Sequence, residues 1–227
     1  MKSITVVIAA YNEEKNVKSV IDETIQMLVS MAIDFELIVV DDGSNDNTLE
    51  VIRACALKDA RIKIIVHAQN QGIGSALFDG YQKAQKDYVT MLPADGQISP
   101  LDIKLFAENI DGYDMVVSYY VKRPVSVFRK ITSKGVRVIL FLLFGPMPRY
   151  EGTYMFRRQI LQNISLKMHT SFVLNYEMVI RAKHQGYKIK EVPTECLERA
   201  SGSSKVLGVK KILFILSQIF ELRFRYF

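Results

Sequence analysis

The sequence predicts an α/β fold: a mostly parallel central sheet flanked by helices, closed by an amphipathic helix at the C-terminal end. Short apolar runs at residues 4–10, 35–40, 61–66 and 87–92 alternate with segments of helical length. That is the pattern of βαβ units whose strands are covered on both faces. The first, second and fourth runs end in Ala10-Tyr11-Asn12-Glu13, Asp41-Asp42-Gly43-Ser44 and Pro93-Ala94-Asp95-Gly96-Gln97. Ligands of open parallel sheets sit outside the carboxyl ends of the strands, so these three segments are the first candidates for a site. At 227 residues, 49% of them hydrophobic, the chain can bury one generous core.

The elements follow in order. Residues 4–10 read as a buried strand and 13–31 as a helix opened by Asn12. A second strand at 35–40 leads into the turn 42–46, whose Asx residues can cap a helix starting near Thr48. A third strand spans 61–66, a helix 72–85 and a fourth strand 87–92. The second half is less regular. It reads as a strand at 114–118, a basic-then-apolar helix at 127–144 stopped by Gly145-Pro146, and a strand at 151–156. A helix at 172–185 ends at Gly186, and extended pieces follow at 189–193 and 195–199. From Lys205 onward Val209, Ile212, Leu213, Leu216, Ile219 and Phe220 fall on one helical face. No linker or solenoid repeat divides the chain.

Charge is unevenly placed. The formal net charge is +6, yet residues 115–150 carry seven Lys/Arg and no acid, and residues 199–227 carry six against Glu221. Basic surface therefore sits in two segments of an otherwise acidic chain. Cys55 and Cys196 lack metal-type spacing and read as free thiols in a reducing compartment. No apolar run approaches the roughly 18 residues needed to span a bilayer, and no signal peptide is evident. His67, His169 and His184 suggest no ligand set; each reads as a surface or satisfied histidine.

Each acidic strand end alone could be a cap or a first-turn acid. Several carboxylates facing one crevice repel one another unless a cation or a donor-rich ligand joins them. A nucleotide with a divalent metal meets that need.

The residues carry a resemblance. Val6-Val7-Ile8-Ala9-Ala10-Tyr11-Asn12-Glu13, Glu36-Leu37-Ile38-Val39-Val40-Asp41-Asp42-Gly43-Ser44, Asn70-Gln71-Gly72-Ile73-Gly74 and Ala94-Asp95-Gly96-Gln97 resemble family 2 glycosyltransferases of the GT-A fold. Phe128-Arg129-Lys130-Ile131-Thr132-Ser133-Lys134-Gly135 and Arg199-Ala200-Ser201-Gly202-Ser203-Ser204-Lys205 look like markers of the dolichol-phosphate mannose synthase and polyprenyl-phosphate glycosyltransferase branch. The resemblance covers nearly the whole chain. It implies one domain, with a nucleotide-sugar half at 1–118, an acceptor half at 119–205 and an amphipathic helix at 206–227.

The resemblance also implies roles. Ala10, Tyr11, Asn12, Glu13, Asp41, Asp42, Gly72 and Asp95 would bind the nucleotide sugar. Asp95 and Gln97 would ligate Mg2+ or Mn2+. Arg129, Ser133, Arg199 and Lys205 would hold the lipid phosphate and the donor diphosphate, and with Asp95 form the catalytic set. Arg suits bidentate phosphate contacts and Lys supplies a point charge. Both segments lie in the two basic stretches.

The chain also departs from the family. Pro93 stands where the family usually carries the first Asp of Asp-x-Asp, and Tyr119 where these synthases commonly show Arg, a contact that Lys122 or Arg123 could supply. Leu174-Asn175 occupies the place where family members acting on hydroxyls carry Glu-Asp as the base. A hydroxyl acceptor needs such a base, whereas a phosphate is already anionic. The expected reaction is thus inverting transfer of a hexose from a GDP- or UDP-sugar to a polyprenyl phosphate. The rivals are transfer to a saccharide hydroxyl with Glu151 as base, or a non-catalytic nucleotide-sugar-binding protein. The basic-plus-apolar segments at 129–144 and 210–227 suit a membrane surface, an oligomer or a membrane-protein partner. The expected location is cytoplasmic, peripheral on the cytosolic face of a membrane, with no nucleic acid partner.

Overall fold

The computed structural model describes residues 2–122, 127–171, 173–197 and 209–227, with the backbone alone at 122, 127–131, 133 and 209–212. Seven strands form one sheet: β1 (Ser3–Ala10), β2 (Asp34–Asp41), β3 (Ile62–Val66), β4 (Tyr88–Pro93), β5 (Met115–Lys122), β6 (Tyr154–Arg157) and β7 (Ile189–Glu195). The helices are α1 (Val17–Ser30), α2 (Thr48–Ala56), α3 (Ile73–Lys83), α4 (Leu101–Asn109), α5 (Val127–Phe144), α6 (Ile160–Asn163), α7 (Leu174–His184) and α8 (Val209–Tyr226).

The spatial order is β3-β2-β1-β4-β6-β5-β7. β1 pairs in parallel with β2 and β4, and β2 with β3, as the βαβ pattern requires. β6 runs antiparallel between β4 and β5, while β5 and β7 are parallel. The chain leaves β1 toward β2 and β3, then returns through α3 to β4 on β1's other side. This reversal opens a crevice at the carboxyl ends of β1 and β4.

Alternation along β1 divides the core. Ile4, Val6 and Ile8 face α1, α2 and α4, while Val7 packs with α3 and α7 on the opposite side. A third cluster joins α5, α7 and α8 through Leu140, Phe144, Ile180, Ile219 and Leu222. α3 lies close on β1 because Gly80 has no side chain: a Cβ there would stand 2.3 Å from Val7 Cγ1.

Three local differences from the sequence reading have physical causes. The first helix begins at Val17, because Asn12 takes a left-handed φ of 52° and Glu13–Asn16 form a turn. Asn12 thus opens no helix; its side-chain carbonyl accepts Asn45 N–H at 2.8 Å. The extended pieces at 189–199 are one strand as far as Glu195, whose place at the sheet edge tolerates Pro193. α4 forms where no element is expected, burying Ile103, Phe106 and Ala107.

Candidate active site

A cavity of about 440 Å³ opens at the crevice. Ala10, Tyr11 and Glu13 line it from the end of β1, Asp42 from β2, and Pro93, Asp95 and Gln97 from β4. Tyr120 of β5, Tyr150 and Glu151 before β6, Asn175 and Tyr176 of α7, and Ile215 of α8 complete the far wall.

Asp42 is nearly buried, and its carboxylate is densely bonded. Oδ1 accepts Gln71 N–H at 2.9 Å and lies 2.7 Å from His67 Nδ1, while Oδ2 accepts Gly72 N–H at 2.8 Å. His67 Nε2 meets Asp79 Oδ2 at 3.0 Å. The carboxylate therefore pins the 67–72 loop, which places Asn70 and Ile73 in the cavity wall. Gly43 makes the neighbouring turn possible: its φ is +68°, and a Cβ would stand 2.4 Å from the Gln69 carbonyl carbon.

Asn12, Asp41 and Gly72 are absent from the lining residues. Asn12 ties the end of β1 to the 44–45 turn, and Gly72 donates to Asp42. Asp41 is buried, with Oδ2 3.4 Å from Ser44 N and Oδ1 without a hydrogen-bond partner among the described residues. Asp46 does cap α2, accepting Thr48 N–H at 3.0 Å. Burial pushes its carboxyl up, but bonds from Thr48 and Glu14 N–H outweigh this and leave it below the usual range.

At the β4 end Asp95 Oδ1 accepts Gln97 N–H at 3.1 Å, so both predicted ligands share one turn on the cavity. Among the described residues no group of three or more His, Cys, Asp or Glu could hold a metal. One carboxylate with a neighbouring amide fits a cation whose remaining ligands arrive with substrate, as Mg2+ commonly binds through phosphates and water.

On the far wall Glu151 forms an ion pair with Arg137 at 2.9 Å. Tyr154 OH donates to Asn175 Oδ1 at 2.8 Å and lies 2.9 Å from Tyr81 OH. Burial raises both phenols well above their ordinary range. Tyr119 meets the Arg149 guanidinium, 5.5 Å from its ring centroid. The side chains of Arg129 and Ser133 and the segment carrying Arg199 and Lys205 lie outside the described residues.

Sequence reasoning missed Tyr120, Tyr150, Tyr176, Cys196 and Ile215 as wall residues. They come from strands, helices and connecting segments far apart in the chain, and aromatic residues in the second half look like core until the sheet order is known. His67 is a satisfied histidine, as expected, but its partners tie it to the site.

Comparisons with known proteins agree with this architecture. Residues 5–182 match Glycosyl transferase family 2. Undecaprenyl-phosphate 4-deoxy-4-formamido-L-arabinose transferase of Proteus mirabilis is 31% identical over 219 residues, covering 93% of this chain and 65% of that protein. Its counterpart in Pectobacterium atrosepticum is 31% identical over 216 residues, with the same coverage of 93% and 65%. The chain thus spans about 65% of the length of these curated relatives. A solved glucosyl-3-phosphoglycerate synthase from Mycobacterium tuberculosis, in complex with Mn2+, UDP and phosphoglyceric acid, superposes with a TM-score of 0.74 at 23% identity, covering 96% of this chain and 76% of that one. The same enzyme with Mg2+ and UDP gives 0.72 at 23% identity, covering 96% and 79%. At that identity the likeness establishes the fold, which is GT-A-like. With the Asp-Asp-Gly-Ser strand end, the Asp95 turn and the family match falling on one continuous stretch of the sheet, the chain belongs to the family 2 glycosyltransferases.

Proposed function

We propose that this chain transfers a hexose, with inversion, from a nucleotide-diphosphate sugar to a polyprenyl (dolichyl or undecaprenyl) phosphate at a membrane surface. The observation that carries the reading is the two-sided cavity, with strand-end carboxylates on the wall of β1, β2 and β4 and Asn175 on the far wall, at the position where the resemblance implies a base in members acting on hydroxyls. The undecaprenyl-phosphate acceptor in the names of the bacterial relatives supports it.

In this reading Ala10, Tyr11, Glu13 and Asp42 hold the base and ribose, with Asn12 and Gly72 fixing the loops around them. Asp41, behind the cavity lining, would support the nucleotide wall through the turn at Ser44, whose N lies 3.4 Å from Oδ2. Asp95 and Gln97 would hold Mg2+ or Mn2+, which supplies positive charge to the donor diphosphate. Arg129 and Ser133 would grip the acceptor phosphate, and Arg199 and Lys205 the leaving diphosphate.

An acceptor phosphate oxygen forms the bond to the anomeric carbon. The bond to the donor diphosphate breaks on the opposite face, and its electron pair leaves on the diphosphate. No proton moves, so positioning and charge neutralisation carry the rate. Glu151, the alternative base, is engaged by Arg137.

α5 exposes Val138, Phe141 and Leu142 on one helical face with Lys134, and α8 exposes Phe214 and Phe224. Apolar side chains flanked by cations suit the headgroup region of an anionic membrane. No described helix is long and apolar enough to cross a membrane. In this reading the chain sits peripherally on the cytosolic face of the membrane, with a second copy or a membrane protein as other partners for the same faces.

The test is a panel of radiolabelled GDP- and UDP-hexoses with a short polyprenyl phosphate. Label should enter the lipid extract with one donor, and Asp95→Ala should lower transfer by about 100-fold or more. Label in a water-soluble product would favour a hydroxyl acceptor. Donor binding without transfer or hydrolysis would favour a non-catalytic protein.

A further inference from the structure

We propose that Asn175 sets acceptor specificity, its side-chain Nδ2–H donating to a phosphate oxygen of the acceptor. The inference deepens the phosphate-acceptor reading and rests on it.

Asn175 stands in the first turn of α7, 2% exposed, and lines the same cavity as Asp95. Its carbonyl is already used: Oδ1 accepts Tyr154 OH at 2.8 Å. Tyr154 in turn lies 2.9 Å from Tyr81 OH, and both phenols are fully buried. Burial keeps both hydroxyls protonated, so Tyr154 retains the proton it donates. An amide carries its acceptor and its donors on opposite corners. With the carbonyl turned to Tyr154, the NH2 group is the corner left to meet a ligand.

A neutral donor at this wall recognises an anionic oxygen without bringing charge of its own. A carboxylate of the same shape would accept the Tyr154 hydroxyl equally well, yet would present a second, negatively charged oxygen to the acceptor. The Asn-for-Asp difference is therefore a choice between anionic and neutral acceptors, made with little change in packing. Glu151, on the same wall, has its charge compensated by Arg137 at 2.9 Å.

Isothermal titration of wild-type protein with farnesyl phosphate, farnesol and UDP separates the possibilities. The wild type should bind farnesyl phosphate more tightly than farnesol. If it takes both equally, the phosphate reading fails and this inference fails with it. Asn175→Asp should weaken farnesyl phosphate by about tenfold or more, as expected for a like charge at contact distance, while farnesol and UDP binding stay unchanged. Wild-type preference for the phosphate together with unaltered binding by Asn175→Asp would overturn the inference alone. So would an equal loss of UDP binding, which would assign Asn175 to the donor side. If Asn175→Asp does not fold, as judged by its thermal melt, Tyr154→Phe takes its place. Freed from its hydroxyl partner, the amide should bind farnesyl phosphate about threefold more weakly with UDP unchanged; unchanged farnesyl phosphate binding would contradict the proposal.

Discussion

Asp42 and Asp102 are both buried carboxylates, and their partners separate them. Asp42 receives Gln71 N–H, Gly72 N–H and the His67 ring, and so organises a loop. The sequence shows an acid at a strand end, and the resemblance assigns it to the nucleotide; neither reveals that most of its lone pairs are spent inside the protein. Asp102, on α4, has no hydrogen-bond partner for Oδ2 among the described residues. Burial pushes its carboxyl from 3.8 up to about 6. Between those values the folded chain keeps a proton that the unfolded chain sheds, so stability falls as pH rises through the window. The loss is worth up to about 3 kcal/mol above it. Asp102→Asn cannot shed that proton. The difference in melting temperature, variant minus wild type, should grow by several degrees from pH 4 to pH 8, at roughly 2–4 °C per kcal/mol. A difference independent of pH would contradict this assignment. Nothing in the sequence marks Asp102, because an acid in a first helical turn ordinarily stays in water.

At the scale of elements, the first half was legible because each strand is a continuous β-branched run and each connection is long enough for a crossover. β1 to β4 and α1 to α3 follow from that pattern within a few residues. In the second half the elements were legible as well, and what the sequence hid was the order and direction in which its strands pair. β6 is a short strand inserted antiparallel between β4 and β5, and its pairing depends on contacts distant in sequence. α4 escaped notice because a nine-residue helix offers few turns of apolar periodicity. Close packing was equally hidden: Gly80 reads as a weak helical position, yet α3 approaches β1 through it. Gly80→Ala would place a methyl 2.3 Å from Val7 Cγ1, itself fully buried. Overpacking of about 1–3 kcal/mol should outweigh the helix-propensity gain of about 1 kcal/mol. Urea denaturation should show a lower midpoint, and an unchanged or higher one would mean that α3 lies less tightly on β1.

At the scale of the whole molecule, uneven charge and a reversed sheet order meet at one place. The acidic strand ends gather at the crevice, while the basic stretches include α5 and α8, which pack with α7 of the far wall. α8 links surface and site, since Ile219 and Leu222 bury against α5 and α7 while Ile215 reaches the cavity wall. Charge counting located the basic segments before any fold was known. It could not show that the C-terminal helix forms part of the cavity, because that depends on how α8 docks. The central claim is that the acceptor atom is a phosphate oxygen. Phosphorus NMR of anionic vesicles carrying undecaprenyl phosphate, incubated with the protein, Mn2+ and the active nucleotide sugar, tests it directly. The account predicts that the phosphomonoester signal is replaced by a glycosyl phosphodiester as free nucleoside diphosphate appears. An unchanged monoester signal, with the donor consumed and the sugar recovered on a water-soluble product, would contradict it.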